Sequence, residues 1–316
     1  MFSGRHISRK KIMEKSGSLL YIVFRYIFLL GISYIMLYPV LKAISQSLNL
    51  ASDFGSGSNE WIPNKLTFSN YIFVLHYFPY LEKLKNTLLI VVISTALQLV
   101  ISAFAGYGLA RYRFKGNGLV FVLVIITIVF PTQSYFLPLY SQYRYFDFLG
   151  IGQLIGLFSG TPVTVNLLNT YWPYILPALF GVGLNSGLFI FVFRQFFMSL
   201  PKELEEAARV DGCNALTTYI RIVVPNAVPV FVTVGLLSTV FYWNDDTVMK
   251  MFITKAEKFS LLSYLEVTSA LESYEKAETF ARWSTALLLV QGPMMLLFCF
   301  GQKFFVECMD RSGIKG

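Results

Sequence analysis

The sequence predicts an all-α integral membrane protein, a polytopic bundle of about six transmembrane helices, and three observations carry that expectation. Of 316 residues, 55% are hydrophobic and only 14% are charged, against about 25% charged in a soluble domain. The charges are clumped, and the stretches between clumps carry almost none. Those stretches reach the roughly 20 residues that a helix rising 1.5 Å per residue needs to cross about 30 Å of hydrocarbon. Backbone in lipid must satisfy its own hydrogen bonds, so the spans are helices, and no alternating pattern suggests a barrel. The composition also excludes a disordered chain. The net charge of +8 reflects orientation in a membrane rather than affinity for nucleic acid.

The first span runs from about Leu19 to Ile44, with Arg25 able to snorkel. Arg5, Arg9, Lys10, Lys11 and Lys15 precede it. The apolar run is too long for a signal-peptide core, and no small-x-small cleavage site follows, so it reads as an uncleaved span. An outer loop from about Ser45 to Lys85 holds a Gly55-Ser56-Gly57-Ser58 turn. The second span covers about Thr87 to Leu109. The third covers about Leu119 to Tyr140 and is broken by Pro131 and Pro138. A semi-polar outer segment, about Ser141 to Ile175, reads as a surface or re-entrant element. The fourth span covers about Leu176 to Phe197, with Gly183 and Gly187 as a small-xxx-small pair for close helix packing. The fifth covers about Ala227 to Trp243 and the sixth about Thr285 to Phe305.

Lysine and arginine counts set the orientation. With the N-terminus in the cytoplasm, the inner segments hold fifteen, including Arg111, Arg113, Lys115, Arg194, Lys202, Arg209 and Arg221, and the outer segments hold nine. Arg111, Arg113 and Lys115 read as orientation charges and headgroup contacts. Both termini are expected inside: a cytoplasmic tail over 1–18, a membrane domain over 19–306 and a second tail over 307–316.

Little in the chain points to catalysis. Cys213, Cys299 and Cys308 are scattered, and His6 and His76 lie far apart, so no metal or catalytic site is expected. There is no Gly-x-x-x-x-Gly-Lys-Ser/Thr loop, so energy from ATP must come from another chain. The spans lack central acids, which argues against an ion-coupled carrier. A membrane enzyme acting on lipid or glycan is the alternative from another class. Its best candidate, Asp245-Asp246, lacks a basic or histidine companion nearby.

One cytoplasmic loop, residues 199–225, stands out. Ser199 suits a helix cap and Pro201 an early helical position. Glu203, Glu205 and Glu206 fall in the first turns, where the helix dipole favours anions. Leu204, Ala207, Ala208 and Val210 form a weakly apolar face. Gly212 supplies a left-handed stop. Asn214 can start a second short helix with Leu216, Tyr219, Ile220 and Val223 as its apolar positions, and Pro225 separates that helix from the fifth span. This helix–glycine–helix elbow suits either a groove on a cytosolic partner or the headgroup layer.

Glu206-Ala207-Ala208, then Gly212 and Ile222-Val223-Val224-Pro225, resembles the EAA loop of ATP-binding-cassette (ABC) importer permeases, with Val224 where leucine is usual. Other segments resemble the carbohydrate branch, in particular MalG-like subunits: Trp61-Ile62-Pro63, Asn86-Thr87, Tyr107 to Gly116, Phe193-Arg194, Phe241 to Asp245, and Gly313 to Gly316. The stretch from Phe148 to Ile175 is longer than usual in that family.

The resemblance implies a type I importer permease fold in which the elbow is the coupling helix. Glu206, Ala207, Ala208, Asp211, Gly212, Ile222 and Pro225 would then serve coupling to the ATPase. It implies a second MalF-like permease, two ABC ATPase subunits that use ATP and magnesium, and an extracytoplasmic binding protein that delivers a sugar. It also implies residence in the bacterial cell membrane and no cofactor bound by this chain. An importer for a non-sugar solute is the alternative within the class. Phe241, Trp243, Asn244 and Asp245 combine aromatic faces with hydrogen-bonding groups, the chemistry of a sugar path. The other reading of Trp243 is an aromatic-belt residue beside a solvated loop.

Overall fold

The computed structural model describes residues 9–50, 63, 65–130, 132–271 and 277–312. The Gly55–Ser58 turn, Trp61-Ile62, Pro131 and the terminal Gly313–Gly316 lie outside the described residues. Among the described residues the regular structure is helical, apart from one isolated antiparallel bridge between Phe146 and Val165.

Two compact units emerge. One comprises residues 1–77 and 272–289, the other residues 78–271 and 290–316.

The first unit contains α1 (Arg9–Ser47), α2 (Ser69–Tyr77) and the start of the last helix. Tyr21–Ser47 of α1 is long and apolar enough to cross a membrane. Residues 21–37 of α1 are exposed along their length. Its final turns are tied down. Asn70 Nδ2 donates to the Ser47 carbonyl at 3.0 Å and the Asn49 carbonyl at 2.9 Å. Thr67 N–H donates to the Leu48 carbonyl, and Ser284 Oγ donates to Gln46 Oε1 at 3.2 Å. The bonds from Asn70 and Thr67 close carbonyls that a helix end leaves open.

The second unit is built on α3 (Tyr80–Arg111), a 32-residue helix that is also long and apolar enough to span. Then follow α4 (Asn117–Val129), α5 (Phe136–Arg144), α6 (Ile151–Ser159), α7 (Trp172–Leu179) and α8 (Ser186–Ser199). After the elbow, α9 (Glu203–Val210), come α10 (Ala215–Thr218), a wide π turn over Tyr219–Val223 and α11 (Val224–Asn226). The unit continues with α12 (Val228–Trp243), α13 (Thr247–Phe252) and α14 (Leu261–Leu271), and α15 (Ala277–Ser312) supplies its last helix. Phe280–Lys303 of α15 is a third helix long and apolar enough to span.

Two expected spans are interrupted. The third is divided between α4 and α5, with a 3₁₀ turn over Thr132–Tyr135. The fourth is not one helix, which corrects the continuous segment expected from Leu176 to Phe197. Gly181 at φ +72° and Asn185 at φ +55° are left-handed, and a helix cannot run through such residues. Gly187 nevertheless does what the small-residue pair implies. A Cβ there would strike Thr127 Oγ1 and the Val124 carbonyl, so α8 approaches α4 closely. Gly183 lies in the break, where a Cβ would meet Tyr242 OH and Gln98 Oε1.

The core of this unit is aromatic and aliphatic. Ala103 and Tyr107 of α3 pack with Phe189, Phe193 and Phe197 of α8, Tyr219 and Val223 of the π turn, and Val230 and Val234 of α12. One buried polar group bridges it: Gln98 Nε2 donates to the Leu184 carbonyl at 2.6 Å and Gln98 Oε1 accepts from Tyr242 OH. A buried amide is stable there because both ends are satisfied.

Candidate functional site

The loop over residues 199–225 forms the elbow that the sequence suggests, and its corner is a Schellman turn. Gly212 sits at φ +81°. Its N–H donates to the Arg209 carbonyl, and Cys213 N–H donates to the Ala208 carbonyl at 2.9 Å. This pattern closes the open carbonyls of α9 and requires a left-handed residue at Gly212. Asn214 then caps the next helix, its Oδ1 accepting from Thr217 N–H at 2.8 Å. Ala215–Asn226 meets α12 at a bend of 77°. Pro225 and Pro229 lie on either side of the bend, and each lacks a helical donor.

Three details differ from expectation. Ser199 ends α8 and its hydroxyl donates to the Phe196 carbonyl, so it does not cap α9. Leu204, Val210, Leu216 and Ile220 are exposed rather than packed, Val210 at 88%. The buried face of α9 is Glu205 with Ala208. A run of three acids does not say which one turns inward.

Glu205 is anchored. Arg111 Nε lies 2.7 Å from Glu205 Oε1, with the two side chains 7% and 8% exposed. Tyr107 OH donates to Glu205 Oε2 at 3.3 Å, and Arg111 Nη2 donates to the Leu200 carbonyl at 2.9 Å. Arg111 is thus a buried link between α3 and α9, not a headgroup contact. Of the residues expected to serve coupling, Glu206, Ala207, Asp211, Gly212 and Pro225 are exposed, Ile222 is half-buried and Ala208 is buried.

The Phe241–Asp245 set divides. Trp243 is buried and its Nε1–H donates to the Val290 carbonyl at 3.2 Å, so it has no face free for a solute. Phe241 and Asn244 are exposed, and Asn244 Oδ1 accepts from Gln291 Nε2. Asp245 lines a cavity of about 1130 Å³ together with Thr127, Gln142, Tyr174 and Tyr242. Its Oδ2 accepts from Tyr174 OH at 2.6 Å. Burial holds the Asp245 carboxyl above its ordinary range, and the Tyr174 hydrogen bond pulls the other way. Asp246 does have a basic companion: Lys250 Nζ lies 2.8 Å from Asp246 Oδ2 and 2.6 Å from Glu266 Oε2. Asp246 thus belongs to an ion-pair chain with Lys250 and Glu266, and Asp245 does not.

Two clasps order the loops after α6 and α13, and sequence reasoning missed both. Asn169, left-handed at φ +59°, accepts through Oδ1 from Thr254 N–H at 2.7 Å and Lys255 N–H at 3.1 Å. Its own carbonyl accepts from Lys258 Nζ at 2.6 Å. Lys83 is buried and donates to the carbonyls of Ala256 at 2.8 Å and Glu257 at 3.0 Å, beside Glu82 at 2.8 Å. The segment from Ser141 to Ile175, which the sequence reads as a surface or re-entrant element, is thereby fixed onto the loop after α13.

The comparisons agree with this architecture. Residues 98–311 match the family model of the binding-protein-dependent transport system inner membrane component. The chain is 29% identical to the probable ABC transporter permease YurM of Bacillus subtilis, over 93% of this chain and 87% of that protein. It is 28% identical to the arabinooligosaccharides transport system permease AraQ of the same organism, over 92% and 94%. It is 27% identical to the trehalose transport system permease SugB of Mycobacterium tuberculosis, over 89% and 93%. In fold it is similar to a chain of a bacterial ABC transporter involved in alginate import, with TM-score 0.66 and 22% identity over 96% of this chain and 99% of that one. The family is one of membrane permease components of ABC transporters, and the chain belongs to it: it is a binding-protein-dependent transport system inner membrane component.

Proposed function

We propose that the chain is one of two permease subunits of a carbohydrate importer, driven by ATP hydrolysis on separate ABC subunits and supplied by an extracytoplasmic binding protein. The observation that carries the coupling half is the elbow. Its inner face is locked to α3 through Glu205 and Arg111, while Glu206, Ala207 and Asp211 stay exposed beside the Schellman corner. A push on such an element is passed to α3 rather than absorbed by a loose loop. The carbohydrate half rests on relatives named for arabinooligosaccharides, trehalose and sulfoquinovosyl glycerol.

In this reading, helices α9 and α10 form the coupling element within the loop 199–225. Both termini are cytoplasmic, six segments cross the cell membrane between tails over 1–18 and 307–316, and the chain binds no cofactor of its own. The third and fourth crossings are made by broken helices, α4–α5 and α7–α8. The solute path on this subunit runs along the Asp245 cavity, with Phe241 and Asn244 at its margin and Trp243 as a packing residue.

The test is reconstitution with the partner subunits and a panel of binding proteins loaded with sugars, amino acids or peptides. Sugar-dependent stimulation of ATP hydrolysis supports the reading. Stimulation by a non-sugar alone overturns the substrate class, and no ligand-dependent stimulation overturns the coupling.

A further inference from the structure

The hairpin closed by the Phe146–Val165 bridge carries a surface that the transport reading does not use. Its helix α6 reads Ile-Gly-Gln-Leu-Ile-Gly-Leu-Phe-Ser, with apolar side chains on nearly every side. Leu149, Leu154, Leu157 and Phe158 are exposed, Phe158 at 93%. Only the Gly152–Gly156 stripe is covered. A Cβ on Gly156 would meet Pro162, and one on Gly152 would strike the Val163 carbonyl. From Phe148 to Phe193 there is no charged residue. An all-round apolar helix belongs in a protein core or in lipid, and nine residues, about 13 Å, suit a re-entrant or interfacial element rather than a span.

The ends of α6 supply an independent argument. Its first four N–H groups are all satisfied from within the hairpin. Ile151 N–H donates to the Phe148 carbonyl, and Leu154 N–H donates to the Gly150 carbonyl. Gly152 N–H donates to Asp147 Oδ1 at 2.6 Å, and Gln153 N–H donates to Asp147 Oδ2 at 3.0 Å. At the far end, Gly160 N–H donates to the Gly156 carbonyl, and Ser159 Oγ lies within hydrogen-bond distance of the Ile155 and Thr161 carbonyls. A solvated loop helix needs no such closure, because water completes it. Lipid demands it.

We infer that α6 is a re-entrant element bedded in the bilayer interface, with lipid acyl chains against Leu154, Leu157 and Phe158. Asp147 lies at the polar boundary and seals the helix start. The hairpin thereby fixes the height of the Asn169 clasp, and with it the loop after α13, against the membrane. This inference is independent of the substrate and of the coupling partner.

The test uses the full chain with Cys213, Cys299 and Cys308 replaced by serine, reconstituted in phosphatidylethanolamine–phosphatidylglycerol vesicles. A fluorophore is placed at Phe158→Cys and, as control, at the exposed Lys255→Cys. Doxyl-labelled lipids and iodide, the latter on both sides, are the quenchers. The expected result is several-fold stronger doxyl quenching and several-fold weaker iodide quenching at 158 than at 255. Equal iodide quenching at the two sites overturns the inference. So does shielding from iodide without doxyl quenching, which would mean that protein covers α6. Should Phe158→Cys fail to insert, Leu157→Cys reports the same contact with the same outcomes.

Discussion

Arg111, the last residue of α3, and Glu205, in the first turn of α9, lie 2.7 Å apart with both side chains more than nine-tenths buried. The contact joins α3, a helix long and apolar enough to span a membrane, to the elbow. Breaking a buried pair from one side costs about 3–5 kcal/mol, because the remaining charge is left uncompensated. Arg111→Ala or Glu205→Ala is therefore expected to lower thermal stability in detergent and to reduce ATP-driven uptake. The charge-reversed double variant is expected to regain part of both. A double variant no better than the worse single variant would show that the ion pair does not carry the link.

Gly212 holds a left-handed backbone at the corner of the elbow. No atom lies within 4 Å of where its Cβ would be, so the cost of a side chain is purely conformational. Gly212→Ala is expected to destabilise by about 1–2 kcal/mol, and Gly212→Asn by less, since asparagine tolerates this region. Gly212→Pro is expected to abolish transport while membrane insertion persists. Thermal unfolding of the three variants reads the order, and a Gly212→Ala variant as stable as the parent would remove the Schellman argument.

Much of this was legible in the residues. The stop at Gly212, the cap at Asn214 and the break before the fifth span follow from local backbone chemistry, which does not depend on distant contacts. The apolar runs behind α1, α3, α12 and α15 follow from composition in the same way. What could not be read was facing. Glu203, Glu205 and Glu206 are chemically alike, and only the position of Arg111 decides which is buried. Trp243 follows the same rule: its place at a span end suits a belt residue, but the Val290 carbonyl lies within its reach. The fourth span misled because Gly181 and Asn185 break a helix only through their backbone angles, while the surrounding hydrophobicity runs on unchanged. The clasps by Asn169 and Lys83 bridge residues more than eighty positions apart and leave no local signal.

Asp245 titrates above its ordinary value of 3.8 because burial disfavours the charged form. A raised native pKa means that the folded state binds the proton more tightly. The resulting stability is fully present below the unfolded value and is lost as pH rises through the native one. Asp245→Asn keeps an acceptor for Tyr174 OH and removes the buried charge. It is expected to be at least as stable as the parent at neutral pH, and to lose the parent's gain on acidification above pH 3.8. Thermal unfolding across that range checks both statements, and an unchanged pH profile would contradict them.

Lys83 is buried and gives its ammonium to the carbonyls of Ala256 and Glu257. Lys83→Met keeps an unbranched apolar stem and removes the charge-assisted bonds, each worth about 1.5–3 kcal/mol. The expected outcome is a lower melting temperature and faster hydrogen exchange over residues 254–261. Unchanged exchange there would mean that Asn169 and Asn86 hold the loop without Lys83.

We propose that the elbow passes force from an ATPase to the membrane helices. A photo-crosslinking residue at Ala207, exposed on α9, tests it in the assembled transporter. The account predicts a crosslink to the ABC subunit whose yield changes between the nucleotide-free and ATP-bound states, and which is displaced to other partners when Arg111 is replaced by alanine. Crosslinks to lipid alone, in every nucleotide state, would contradict it.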